Sequence, residues 1–232
     1  MTRSARAKLA ADVPQVPGMS RRAQYSATTR QALVDVAERL FTEHGYAATS
    51  LDAIVAGADV TKGALYHHYS GKQALFEAVF EKVESAGAQQ IQSSLTGHED
   101  PWDKAIAGLR AFLDVVRQPS YSRIVVQDGP SVLGHERFRE QEERSTFDYV
   151  LDIVRAVLDA GEWHVDAELE QTFARIFFGA MSSSGAAVST ADDADTEAER
   201  VELAIGFILS GMRALSEQGT PMSELGAATD GR

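Results

Sequence analysis

Apolar residues recur along most of this chain at the three- and four-residue steps of an amphipathic helix, and strand patterns are missing. Leu33, Val36, Ala37, Leu40 and Phe41 follow the i, i+3, i+4, i+7, i+8 template, with Thr28 or Thr29 as cap and Gly45 closing the helix. Leu51, Ile54, Val55 and Ala58 form a second inward face, and Val60, Ala64 and Leu65 a third. After Gly71 the stripe resumes through Leu75, Phe76, Val79, Phe80 and Val83. Pro101 suits the first turn of a new helix carrying Trp102, Ala105, Ile106, Leu109, Phe112, Leu113 and Val116. A shorter helix is predicted through Ile124, Val125 and Val126, stopping near Asp128-Gly129-Pro130. One long helix from Gly134 to Ala160 should turn Phe138, Phe147, Val150, Leu151, Val154, Val157 and Leu158 inward. Asp166 caps a helix with Leu169, Phe173, Ile176, Phe177, Ala180 and Met181 on one face, and Val201, Ile205, Ile208, Leu209, Met212 and Leu215 mark the last. The prediction is an all-α protein.

The stretch Thr49 to Phe76, TSLDAIVAGADVTKGALYHHYSGKQALF, carries the chemistry. Thr49 or Ser50 can serve as N-cap, and Thr49 to Asp52 has capping-box spacing. Gly57-Ala58-Asp59-Val60 supplies a tight corner between two short helices. The second of these, about residues 61 to 69, directs Lys62, Tyr66, His67 and His68 away from the apolar face. A cation, a phenol and two imidazoles on so short a helix suit phosphate and base-edge contact in a major groove. The alternative is an ordinary amphipathic helix with solvated histidines.

Composition narrows the function further. No run approaches the ~18 apolar residues of a membrane span, and the N-terminus lacks a signal-peptide core, so the expected location is cytoplasmic. With no cysteine, disulfides, zinc–thiolate sites and thiol catalysis are excluded. The formal net charge of −12 looks unsuited to DNA until it is divided along the chain. Residues 1–30 hold six basic groups against one acid, whereas residues 85–232 hold twelve basic groups against twenty-five acids. Such a protein would meet a polyanion with one end. Residues 1–19 read as a disordered arm, and Arg21 and Arg22, placed just ahead of the first helix, are candidates for reaching phosphates or a minor groove.

The segment ADVTKGALYHHYSGKQALF resembles the recognition helix and following helix of the TetR family of bacterial transcriptional regulators, and the resemblance runs from residue 28 to about residue 84. It implies a homodimer with an N-terminal helix-turn-helix domain of three helices and a larger C-terminal helical domain that binds an inducer and dimerises. The corresponding division is an arm at 1–19, a DNA-binding domain at 20–84, an effector-binding and dimerisation domain at 85–219, and a loose tail at 220–232. The resemblance puts Thr61, Lys62, Gly63, Ala64, Tyr66, His67 and His68 on the recognition helix. It puts Ser50 at the phosphate-contacting start of the preceding helix, and Lys72 at the phosphate-binding start of the next. Lys62, Tyr66 and Lys72 would set register on phosphates; Thr61, His67, His68 and the Gly63-Ala64 surface would touch bases. The sequence departs from the family pattern at Asp59, where a turn glycine is usual, and at Asp52, an acid near the expected phosphate path. The last two long helices would form the dimer interface, and the protein would be a repressor that leaves a pseudo-palindromic operator when a small molecule binds.

Other chemistries find little support. Adjacent His67 and His68 diverge by about 100° on a helix, and no acid or histidine at i, i+4 completes a metal site. Ser131, in Gly129 to Gly134, lacks the glycine two residues on that a nucleophile elbow requires. No glycine loop cradles a phosphate or dinucleotide, so no cofactor and no catalytic residue is expected. Candidate effector contacts are Trp102, Phe112, Tyr121, Phe138, Phe147, Tyr149, Trp163, Phe173, Phe177 and Phe178, with Arg123, Gln127, His135 and Arg175 as polar groups. Plain core is the competing reading for the aromatics. An all-helical enzyme and a protein-interaction module with a purely structural helix-turn-helix are the rival functions.

Overall fold

The computed structural model describes residues 21–142, 146–222 and 224, and among these it contains helices and no strand. Four helices build the N-terminal part: α1 (Arg21–Ala48), α2 (Leu51–Gly57), α3 (Lys62–His68) and the long α4 (Lys72–Ser94). Their apolar faces meet in one core, where Leu33, Ala37, Phe41, Ile54, Leu75, Phe76, Val79 and Phe80 have no exposed surface. The rings of Phe41, Tyr46 and Phe76 stack edge-on or tilted with centroids 5.1 to 5.8 Å apart.

The first helix starts earlier than its sequence signals indicate. Arg21 and Arg22 lie within α1, not ahead of it. Thr28 and Thr29 are not caps: the Thr28 hydroxyl donates to the Gln24 carbonyl at 3.0 Å, a mid-helix bond, and Thr29 is buried. Gly45 ends the regular part of α1 with φ 77 and ψ 166, a conformation that a side chain disfavours.

The C-terminal part comprises α5 (Pro101–Val116), a π-helix (Tyr121–Asp128), α6 (Gly129–Leu133), α7 (His135–Glu142), α8 (Asp148–Ala160), α9 (Ala167–Thr190) and α10 (Ala194–Glu217). Asp100, Asp166 and Asp193 cap α5, α9 and α10 by accepting backbone N–H bonds of 2.8 to 3.1 Å. Of the predicted helix from 134 to 160 the structure describes α7 and α8, and residues 143–145 between them lie outside the described ones. Its two apolar stripes serve different cores. Phe138 packs on Phe80 of the N-terminal core at 6.0 Å, while Val154, Val157 and Leu158 pack beneath Trp102 and Trp163. No described helix is long and apolar enough to cross a membrane.

Candidate nucleic-acid interface and effector cavity

The recognition unit is assembled from local signals. Ser50 caps α2 through its hydroxyl, which accepts the Ala53 N–H at 3.1 Å, and Thr61 caps α3 in the same way with Ala64. Thr49 does not share the capping: it is buried, and its hydroxyl lies 2.8 Å from the Gly45 carbonyl and 3.1 Å from that of Leu40, tying the corner back to α1. Asp59 turns the corner with φ 51, the left-handed conformation that aspartate tolerates. Leu65 buries the inner face of α3, and Tyr69 just beyond it is buried as well. Tyr69 is held from outside by the Arg30 guanidinium, whose Nε donates to the phenol at 3.2 Å.

The outer face of α3 is open. Thr61, Lys62, Gly63, Tyr66 and His67 are exposed, Tyr66 by 58%, while Ala64 and His68 are half-buried. A Cβ at Gly63 would meet only the Thr61 hydroxyl, at 3.8 Å, so nothing inside the protein requires a glycine there. The His67 and His68 rings are 5.2 Å apart; burial first, then the neighbouring His67 and Arg30, holds the His68 pKa below its usual 6.5. Arg22 is exposed on α1; residues 1–19 and the Arg21 side chain lie outside the described ones.

Two predicted cations are not free. Lys62 forms an ion pair with Asp52 across the turn, and that bond raises its pKa. Lys72 donates to the Tyr46 carbonyl at 2.8 Å and the Thr49 carbonyl at 2.9 Å, with its ammonium 4.2 Å from the centre of the Tyr46 ring. Its charge caps the end of α1 and leaves one N–H for any outside partner.

Between α4, α5, α8, α9 and α10 lies a cavity of about 140 Å³. Of the candidate contacts, Phe112, Tyr121, Tyr149, Phe173, Phe177 and Phe178 line it. Seven expected contacts, Trp163 among them, lie elsewhere. Trp102 stands edge-on to Trp163, Phe138 sits in the N-terminal core, and Phe147 packs on Phe178 at 5.7 Å. Arg175 is exposed beside Gln171, Gln127 donates to the Ser189 carbonyl at 2.9 Å, and Arg123 reaches Asp128. Their residue types resembled pocket residues, but their helical positions point out of it. The His135 side chain lies outside the described ones.

Sequence reasoning missed Glu84 and Asp128. Glu84 lines the cavity at 5% exposure, flanked along α4 by Phe80, Val83, Gly87 and Ile91; an acid within an apolar stripe was the available signal. Asp128 had no such signal. Its carboxylate accepts the Tyr46 N–H at 2.8 Å and the Arg123 Nε–H at 3.3 Å, joining the end of the π-helix to the corner that Lys72 holds from the other side. Among the described residues no group of acids and histidines could hold a metal ion.

Comparison with known proteins adds independent information. Residues 33–79 match the model of bacterial regulatory proteins of the tetR family, and residues 102–212 match that of the tetracyclin repressor-like C-terminal domain. The HTH-type transcriptional regulator SrpR of Pseudomonas putida is 28% identical over 183 residues, covering 77% of this chain and 82% of its own. An uncharacterized HTH-type transcriptional regulator of Pseudomonas putida, TtgW, is 31% identical over 121 residues, 50% of this chain and 87% of its own. The crystal structure of a TetR-family transcriptional regulator from Pectobacterium atrosepticum superposes with a TM-score of 0.71 at 26% identity, covering 84% of this chain and 97% of that one.

Proposed function

The chain belongs to the tetR family of bacterial transcriptional regulators, a family of DNA-binding proteins and not of enzymes, and from that premise we propose a cytoplasmic homodimeric repressor released from its operator by a small molecule. The observation that carries the DNA-binding part is the exposed outer face of α3, steadied by a buried Leu65 and two side-chain caps. In this reading residues 20–84 form the DNA-binding domain and 85–219 the effector-binding and dimerisation domain. Thr61, His67, His68 and the Gly63-Ala64 surface approach base edges; Ser50, Lys62, Tyr66, Lys72, Arg21 and Arg22 approach phosphates. Glycine at position 63 costs about 1 kcal/mol of helix propensity without an internal need, which fits close approach of a duplex.

The dimer is supported by the last two long helices. Ile176, Leu203, Phe207 and Ile208 are large, apolar and more than half exposed on α9 and α10, and a second copy would cover them. Two recognition helices would then enter successive major grooves about 34 Å apart.

The effector response has a physical route. The cavity lining is dominated by aromatic and aliphatic side chains, with Glu84, Tyr121, Thr146, Tyr149 and Ser182 as polar groups, which suits an apolar ligand with a small polar group. Tyr121 opens the π-helix, whose last residue, Asp128, grips the Tyr46 N–H. Lys72 then links Tyr46 and Thr49 to the start of α4, next to the Ser50 cap. A ligand that displaces Tyr121 would act on the recognition unit through these bonds. The test is selection of bound fragments from a random DNA pool, followed by release with candidate metabolites. A palindromic consensus that depends on Tyr66 and His67 is expected; enrichment of no sequence would refute the reading.

A further inference from the structure

We propose that Asp52 is a built-in counter-anion for Lys62, which the duplex must displace, and that it thereby lowers affinity for DNA of arbitrary sequence. This inference rests on the DNA-binding reading above and assigns a role that reading leaves out.

The formal charge of the stretch that carries the recognition helix is balanced. From Thr49 to Lys72 the chain carries two acids, Asp52 and Asp59, and two cations, Lys62 and Lys72. Lys72 spends its ammonium on the Tyr46 and Thr49 carbonyls, at 2.8 and 2.9 Å. Lys62 is the sole lysine or arginine of α3, and it is paired with Asp52. Asp52 stands in the first turn of α2, two residues after the Ser50 cap, so its carboxylate faces the start of the neighbouring recognition helix.

Both members of the pair are solvent-exposed, with side chains 63% and 67% accessible. Such a pair adds little to folding. Its consequence lies in binding. With Lys62 in its paired position, a phosphate that approaches the ammonium also approaches Asp52. Binding therefore exchanges one ion pair for another and repels the phosphate at the same time. A free ammonium would instead displace a condensed counterion from the duplex, and that displacement drives sequence-independent affinity. The Asp52–Lys62 pair removes this contribution and leaves more of the discrimination to base contacts.

The experiment measures binding of the full chain to a short duplex of arbitrary sequence between about 50 and 200 mM salt. Asp52→Asn is expected to tighten binding about three- to tenfold at ~100 mM salt and to steepen the slope of log affinity against log salt by about 0.9. Asp52→Ser should do the same, and Asp52→Glu should stay near wild type. In a Lys62→Gln background Asp52→Asn should change the slope much less, because no ammonium remains to be released. Circular dichroism and a melting curve establish that each variant is folded. Wild-type affinity and slope in both neutral variants would overturn the inference while leaving the DNA-binding reading intact. So would an equal gain with and without Lys62. Absence of duplex binding by the wild type and by both neutral variants at the lowest salt would overturn the inference, and only a random pool that yields no bound fragment would overturn the DNA-binding reading as well.

Discussion

The two halves of the molecule solve opposite packing problems. The N-terminal half is filled: Phe41, Phe76 and Phe80 are fully buried, with Phe41 and Phe76 packed on Tyr46 and Phe80 on Phe76. The C-terminal half is built around a cavity, and most of its lining residues are only partly covered. A filled core holds one geometry, because protein interiors are close-packed and yield little. A cavity lined by Phe177, Met181 and Met212 can repack around a guest. The polar contacts divide in the same sense: Lys72 and Thr49 lock the recognition corner to itself, and Asp128 joins it to the other half.

The contrast can be broken by truncating one ring in each half. Phe76→Ala should cost about 3 to 5 kcal/mol, because it opens a void in a filled core. Phe177→Ala, at the cavity wall, should cost about 1 kcal/mol. Urea denaturation compares them, and equal losses would mean that the halves are packed alike.

The exposed apolar face of the last two helices marks a second difference. Phe207 is 80% exposed, whereas among the described residues of the N-terminal half Tyr66, at 58%, is the one exposed large hydrophobic side chain. Phe207→Asp should shift the protein toward monomer in sedimentation and weaken operator binding by more than about tenfold, since both half-sites then no longer bind together. A variant that sediments as wild type would remove this face from the interface.

The joint between the halves comes next. Lys72→Met should cost about 2 kcal/mol by stranding the Tyr46 and Thr49 carbonyls. It should also loosen operator binding more than a single lost phosphate contact predicts. Asp128→Ala should leave DNA binding measurable but weaken release by effector, while Asp128→Asn, which keeps an acceptor for the Tyr46 N–H, should retain more of it. Equal effector response in all three proteins would place the coupling elsewhere.

The smallest effect concerns acid. His68 titrates below 6.5 in the folded protein, so well above that value, where both states are neutral, the group contributes nothing to pH dependence. As pH falls through 6.5 the unfolded chain takes up the proton first and stability declines, levelling off below the folded pKa. His68→Gln should flatten this part of the stability curve, as melting temperatures at about pH 7.5 and 5.5 would show.

Much of the fold was legible in the order of residues. The caps at Ser50 and Asp166, the stop at Gly45 and the inward faces of most helices follow from local rules, because a cap or a 3.6-residue stripe involves neighbours a few positions apart. The helix-turn-helix was legible for the same reason, since its corner, both short helices and the start of α4 lie within one run of residues. What a face is buried against was not. Phe138 and Phe177 both read as inward aromatics, yet one fills the N-terminal core and the other lines the cavity. Lys72 read as an outward cation until folding brought it to carbonyls 26 and 23 residues away, and Asp128 meets Tyr46 across 82 residues. Periodicity reports whether a side chain leaves water; only the folded chain decides which partner receives it, because that choice depends on how whole helices pack.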